Sequence, residues 1–551
     1  MADYDLKSLK LPKLAGAGLK AFTAAVENPL SRALLLPGLL ENGGIPKLRR
    51  IIIEEPPTLF PLAAGGGESA AVPFEPGPPP PNFPYRTARA YAEAYRQGTL
   101  NPVEAAEHVL AAITASEKGD APLRAFIAVY REDVMAQARA SAQRFKAGRP
   151  LGPLDGVPVA VKDEVDMKPY PTTVGTSFMG KTPVLEDSTV AARLRAAGAM
   201  MVGKTNMHEI GINPNGANVH HGAVRNPFNP SCDPGGSSSG SAAAVASGLV
   251  PLAIGADGGG SIRIPAGLCG VVGLKPTFGR VSEFGAAPLC WSVAHLGPLA
   301  ACVEDTALAY GLVAGPDPRE PNSLVQPPVT LAGWNRTDLR GVRLGFYRDW
   351  FEHASPEVVQ VCQAMVEQLK RAGAEVRPVT IPGLDEIRIA HAITILAEIA
   401  AAMHKYLPQR KLHAPAVRLS LVLGESLTSL DYIQAQRVRT RAMAAFRTVF
   451  QQVDVIITPA TALAAQPIPT AGLKGGWSDL GTDTEMMRFI FPSNFTGNPA
   501  ISFPAGYDGR GLPVGLQAIG RHWEEALLLR VAYTAEQSLA RRKPVRFYEV
   551  F

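Results

Sequence analysis

GGSSSGSAAAVASGLVPLAIGADGGGSIR, residues 235–263, holds two glycine-serine clusters joined by a run of small apolar residues. The first cluster is residues 237–241 and the second is Gly258, Gly259, Gly260 and Ser261. The run between them predicts a short helix followed by a buried strand, which can carry Ser261 back beside Ser237, 24 residues earlier. Glycines ahead of a serine let backbone N–H groups approach a carbonyl oxygen with no Cβ in the way, as an oxyanion hole requires. Gly258, Gly259, Gly260 and Ser261 are therefore the expected oxyanion and substrate-binding loop.

Outward from this stretch, PVAVKDEVD (residues 158–166) ends an apolar strand on Lys162. Burial disfavours a charged amine, so a lysine leaving such a strand is a candidate general base. The alternative is a strand-end lysine paired with Asp163, Glu164 or Asp166. The serine clusters also have an alternative, an anion-binding nest at a helix start. A P-loop is excluded because no lysine follows the last glycine, and GADGGGS does not meet the dinucleotide pattern GxGxxG. A Ser-His-Asp hydrolase needs a GxSxG elbow, which is not expected here, and neither serine cluster is followed by a plausible triad order. His208-Glu209 lacks the second histidine of HExxH; His208 reads as structural, and His220 and His221 as loop residues. No metal site and no cofactor is expected.

The whole chain bounds the answer. With 551 residues, 46% hydrophobic and 19% charged, it is a well-cored globular protein. The net charge of +5 has no basic block beyond Lys47-Leu48-Arg49-Arg50, which reads as a solvated helix end, so no nucleic-acid partner is expected. Five cysteines without CxxC spacing read as reduced, mostly buried thiols. The N-terminus MADYDLKSLKLPKL lacks the apolar core of a secretory signal. No apolar run stands out at the ~18 residues of a membrane span; the best, ALLLPGLL, contains Pro37. A cytoplasmic protein is expected.

In order along the chain, residues 1–70 read as an N-terminal helical extension or cap. Asn28-Pro29 opens a helix and Gly43-Gly44 stops it, with Leu30, Ala33, Leu34, Leu35, Leu36, Leu39 and Leu40 between. That apolar surface is expected to pack on the main domain or a dimer mate; the alternative is a helix lying in a membrane interface. Residues 71–84, AVPFEPGPPPPNFP, form a proline-rich linker. From residue 85 to 551 helical and strand patterns alternate as in an α/β domain. Helices are expected from Asn101-Pro102, over 189–199, from Ser355-Pro356 to Leu369, from about Tyr432, and over 523–539. Strands are expected at 157–161, 200–202, 375–381, 454–458, 500–504 and 514–519.

Taken together, GGSSSGSAAAVASG, GADGGGSIRIPAGLCGVVGLKPTFGR and PVAVKDEVD resemble the three signature blocks of the amidase signature hydrolases. The resemblance continues through VGKTNMHEIG, NPFNP, HLGPLA, VDVIITPAT and NPAISFPAGYDGRGLPVGLQAIGR, over roughly residues 85–540. It implies a central twisted mixed β-sheet flanked by helices. It implies Ser261 as the acyl-accepting nucleophile, Ser237, with a cis peptide bond, as the bridging serine, and Lys162 as the base. Asp257 and Arg263 are expected to support the loop. Within the family the chain is most similar to plant-type fatty acid amide hydrolases, through LKLPKLAG, NPLSRALLLPGLL, IIIEEPP, DTEMMRFI and RRKPVRFYEV. This implies a lipid-like amide substrate such as an N-acylethanolamine, a homodimer, and a helical cap near the acyl entrance with peripheral membrane contact as its alternative role. Two departures stand: Ala256 where many members carry Thr, and a short proline-rich linker where plant enzymes carry a longer acidic segment.

Three other readings compete. One is a broad amidase or aryl acylamidase, acting also on esters or carbamates. Another is the glutaminase subunit of a tRNA-dependent amidotransferase; the N-terminal extension and Ala294, where that subunit type carries Asp, argue against it. The last is a non-catalytic scaffold, opposed by intact Lys162, Ser237 and Ser261.

Overall fold

A computed structural model describes residues 4–9, 13–63 and 71–551. The ends of the expected N-terminal extension, and part of LKLPKLAG, lie outside the described residues. The first strands are β1 (Leu14–Ala15), β2 (Phe126–Ala128), β3 (Pro158–Lys162), β4 (Met200–Thr205) and β5 (Leu252–Ala256). Then come β6 (Val272–Lys275), β7 (Leu296–Ala300), β8 (Arg343–Phe346) and β9 (Glu375–Pro378). The last are β10 (Val455–Pro459), β11 (Trp477–Ser478), β12 (Ala500–Tyr507) and β13 (Pro513–Gly520).

Eleven of these form one sheet in the order β2-β4-β3-β5-β7-β6-β12-β13-β10-β8-β9. β3 lies parallel to both β4 and β5, the strands from β5 through β7, β6, β12 and β13 to β10 run antiparallel, and β8 and β9 continue parallel to β10. The sheet is therefore mixed. Its fully buried strands, PVAVK and LAIGA among them, lack polar alternation because helices cover both faces. The β3–β5 register sets Val159 opposite Leu252 and Val161 opposite Ile254. Lys162, at the end of β3, thus lies beside the end of β5, where the second glycine-serine loop begins. Carboxyl ends of parallel strands are where α/β sheets place ligands.

Between the two clusters the chain forms the helix Ser239–Ala246, buried at every residue, before entering β5. Its small residues are required: a Cβ on Gly240 would stand 2.3 Å from the Ala125 carbonyl and 2.5 Å from the Asn206 nitrogen. The expected helix over 189–199 ends at Ala196, and the strand expected over 375–381 ends at Pro378.

The N-terminal helices are α1 (Gly16–Glu27), α2 (Pro29–Gly43) and α3 (Ile45–Arg50). Asn28 caps α2 through the N–H groups of Leu30 and Ser31, and Gly44 closes it at φ 84°. α1 buries Leu19, Thr23 and Val26, with Thr23 donating to the Pro415 carbonyl at 3.1 Å and Glu27 paired with Arg418. Lys47, Arg49 and Arg50 end α3 exposed, as expected, and Lys47 and Arg49 also pair with Asp385 and Asp431 at 2.5 and 2.7 Å, clamping the extension to the body. Leu35 and Leu39 of α2 pack near Leu419 and Val422, whereas Leu30 and Leu34 are 84% and 83% exposed. The body therefore covers one edge of the apolar surface and leaves the other open. The linker is fastened to the body: Trp334 Nε1 donates to the Glu75 carbonyl at 3.1 Å and Tyr533 to that of Pro78 at 2.6 Å.

Sequence periodicity misses Leu384–Met403 and Pro415–Glu425, and with them Ala88–Gln97, Arg131–Lys146 and Val303–Val313 among others. The first corrects the expectation about apolar runs. With its continuation to Leu412 it is long and apolar enough to cross a membrane, yet half of its most apolar window is buried inside the protein. It packs against the helix Ser429–Gln452 and against α3. All five cysteines are free and buried.

Candidate active site

Lys162 is buried, and its Nζ has three partners: Ser237 Oγ at 2.8 Å, the Ala256 carbonyl at 3.1 Å and Glu164 Oε2 at 2.8 Å. This lysine meets the serine cluster, the contact a general base there would need, and it also pairs with Glu164, one of the carboxylates named in the alternative. A carbonyl and a carboxylate only accept, so they take two N–H bonds, and the third direction of the amine meets a hydroxyl. The Gly236–Ser237 peptide bond is cis, as the resemblance implies. Ser238 ties the two clusters together: its N–H donates to the Ser261 carbonyl at 3.1 Å and its Oγ to that of Ala256 at 3.2 Å. At Ala256, where many members carry Thr, both backbone groups are bonded to Ser238 Oγ. The expectation that no GxSxG elbow occurs is corrected: Gly236 to Gly240 fit that spacing, centred on Ser238. Ser238 is turned to backbone and meets no histidine among the described residues.

The second loop is pinned from behind. Asp257 Oδ1 accepts from the Gly260 N–H at 2.7 Å, Asn494 Nδ2 at 2.9 Å and Arg263 Nη2 at 3.0 Å. Its Oδ2 accepts from the N–H groups of Ile262 and Arg263 and from Arg263 Nε, at 3.1, 3.3 and 3.0 Å. Burial alone would raise this carboxyl, but the charge and hydrogen bonds of Arg263, with Asn494 and Lys275, hold it far below the usual carboxylate range. Arg263 in turn donates to Ser493 at 2.6 Å and Gln517 at 2.7 Å. Asp257 and Arg263 thus support the loop without facing outward.

One expected oxyanion donor is corrected. The Gly260 N–H is spent on Asp257, so the N–H groups of Gly258, Gly259 and Ser261 are the donors left free among the described residues. Side chains are barred from the loop: a Cβ on Gly258 would stand 2.5 Å from Cys290 Sγ, and one on Gly259 2.9 Å from Met487 Cε. Ser261 is 8% exposed, and its Oγ makes no hydrogen bond to the described residues, leaving it available to a ligand.

His208 is buried, and desolvation lowers it to about 4, which fits a structural residue. His220 and His221 do more than fill a loop. His220 Nε2 lies 3.3 Å from Glu209 Oε2, and His413 Nδ1 binds Glu209 Oε1 at 2.6 Å. His221 contacts the Thr176 carbonyl at 3.3 Å. His391 and Asn494, both against the second loop, belong to none of the motifs quoted above. The signal available for His391 is a lone histidine in the apolar run IRIAHAITILAEIA.

Residues that touch Gly259 also wall a cavity of about 170 Å³, formed with Ala392, Ile395, Leu396, Leu423, Met487 and Phe491. Pro214 and Asp483 line both this cavity and an adjoining one of about 480 Å³. Burial pushes Asp483 up to about 8. A separate cavity of about 730 Å³ lies beneath the linker, and Lys162, Ser237 and Ser261 line none of these three cavities.

Residues 107–529 match the family model described as Amidase. The chain is 38% identical to a fatty acid amide hydrolase of Medicago truncatula, covering 100% of this chain and 98% of that protein. It is 37% identical to a glutamyl-tRNA(Gln) amidotransferase subunit of Cyanothece sp., over 76% of this chain and 91% of the other. The native peptide amidase of Stenotrophomonas maltophilia superposes with a TM-score of 0.71 at 29% identity, over 84% of this chain and 99% of that one.

Proposed function

The chain belongs to the amidase family and is an amidase hydrolase, and from that premise we propose that it cleaves fatty acid amides such as N-acylethanolamines through an acyl-Ser261 intermediate. Lys162 accepts the Ser237 proton, and Ser237 accepts that of Ser261 as its Oγ attacks the carbonyl carbon. The N–H groups of Gly258, Gly259 and Ser261 receive the oxyanion, where a strong donor is worth about 3–4 kcal/mol. The relay run backwards protonates the leaving nitrogen, which amides need because amide anions leave poorly. Water then enters by the same relay and releases the acid.

The observation that supports an acyl substrate is the mostly apolar cavity near Gly259, one side of which is the helix Leu384–Met403 with Ala392, Ile395 and Leu396. α1 and α3 pack on the outside of the helices around it, so the extension braces the place where an acyl chain would lie. The similarity to the Medicago truncatula enzyme also runs through the extension. The exposed Leu30 and Leu34 are assigned to a second copy of the chain in a homodimer; insertion in a membrane interface is the other outcome.

A series of amides of increasing acyl length, given to the purified chain alone, tests this. Activity should rise with length. A flat or inverted profile would favour a broad amidase, and no activity without a partner would favour a component of an amidotransferase.

A further inference from the structure

His391 stands within the helix Leu384–Met403, outside every motif that marks the family. Its Nε2 lies 2.9 Å from the Gly258 carbonyl. A carbonyl only accepts, so the ring proton belongs on Nε2. Burial lowers the imidazole to about 4, and the ring is neutral near pH 7. Phe495 braces it edge-on, with ring centroids 6.3 Å apart at 87°, and its Cε1 would lie 3.1 Å from a Cβ at Gly259. The ring is wedged between core and loop.

A trans peptide points its C=O and N–H in opposite directions. The bond that fixes the Gly258 carbonyl therefore also fixes the direction of the Gly259 N–H, one of the free donors. The flanking peptides are held in the same manner. Asn494 Nδ2 binds the Asp257 carbonyl at 2.8 Å, and the Ile264 N–H binds that of Gly260 at 2.7 Å. These bonds direct the N–H groups of Gly258 and Ser261. His391 differs in also lining the apolar cavity.

We infer that His391 is a positioning residue for the oxyanion hole, aiming the Gly259 N–H at the developing oxyanion through the Gly258–Gly259 peptide. It touches no reacting atom. The inference rests on the acyl-serine reading and extends it to a side chain outside the signature.

The test uses the full-length protein. His391→Phe keeps a ring and drops the donor. His391→Asn, too short to reach, is a second loss of the bond, and His391→Gln sets an amide nitrogen about where Nε2 stands. Each is given a short and a long acyl anilide, a trifluoromethyl ketone that forms a tetrahedral adduct, and a fatty acid as ground-state ligand. Loss of the donor should lower kcat by about 10²-fold, as a misplaced catalytic group does. KM should stay within about twofold, the pattern of an interaction made in the transition state. Ketone affinity should fall in step with kcat/KM, fatty acid binding should hold, and His391→Gln should restore most of the loss. Wild-type kcat and ketone affinity in His391→Phe or His391→Asn would overturn the inference. Equal loss of kcat, ketone and fatty acid binding with no rescue by Gln would do so too. Ser261→Ala run in parallel separates the two claims: undiminished ketone affinity there would sink the acyl-serine reading itself.

Discussion

Replacing Asp257 with asparagine changes one atom and one charge at a fully buried site. The carboxylate receives six hydrogen bonds, three on each oxygen. An amide group in place of either oxygen would face three donors with donors of its own. Arg263, equally buried, would lose its counter-charge. Breaking a buried pair from one side costs about 3–5 kcal/mol, so Asp257→Asn should lose stability on that scale. The loss should also reach the chemistry, because Gly260 and Ile262 are released on either side of Ser261. A catalytic group displaced by ~1 Å costs about 10²-fold in rate. Urea unfolding and kcat on an anilide, measured on one preparation, check both. The carboxyl is held below its unfolded value, so its stabilisation is complete above about pH 4 and fades only as pH falls towards the folded value. The wild-type loop should therefore stay intact through mild acid. A variant within about 1 kcal/mol of wild type and with undiminished kcat would refute the claim that Asp257 holds the loop.

Lys162→Ala should be slow and should gain activity steadily with pH as hydroxide replaces the base; an unchanged pH profile would remove Lys162 from the relay. Asp483, pushed up to about 8 by burial, keeps its proton in the folded chain where the unfolded chain has lost it. Its contribution is complete below about pH 4 and is lost as pH rises through about 8. Asp483→Asn should flatten that part of the stability–pH curve, and an unaltered slope between pH 5 and 8 would contradict this. Leu30→Glu with Leu34→Glu should leave stability within about 0.5 kcal/mol, since both side chains are exposed. Light scattering should read a fall from dimer to monomer mass, and an unchanged dimer would place the interface elsewhere.

Local patterns made much of this architecture legible. The strand ending on Lys162, the cap at Asn28 and the glycine stop at Gly44 are readable because each depends on a few neighbouring residues. The loop around residues 258–261 is readable because close approach of backbone to a ligand demands glycine. What stays hidden depends on distant partners. Nothing in GADGGGS says that the Gly260 N–H turns back on Asp257 while its neighbours stay free. The helix Leu384–Met403 is apolar around most of its circumference, so no polar stripe gives it a period to detect. His391 and the side of the cavity it lines disappear with it. The clamp by Lys47 and Arg49 is hidden for the same reason, since Asp385 and Asp431 lie more than 300 residues away.

The central claim is that Ser261 carries the acyl group. It is tested most directly by treating the protein with a fluorophosphonate and mapping the modified peptide by mass spectrometry. The account predicts one adduct, on Ser261, and none in Ser261→Ala. An adduct on another serine, or undiminished labelling of Ser261→Ala, would contradict it.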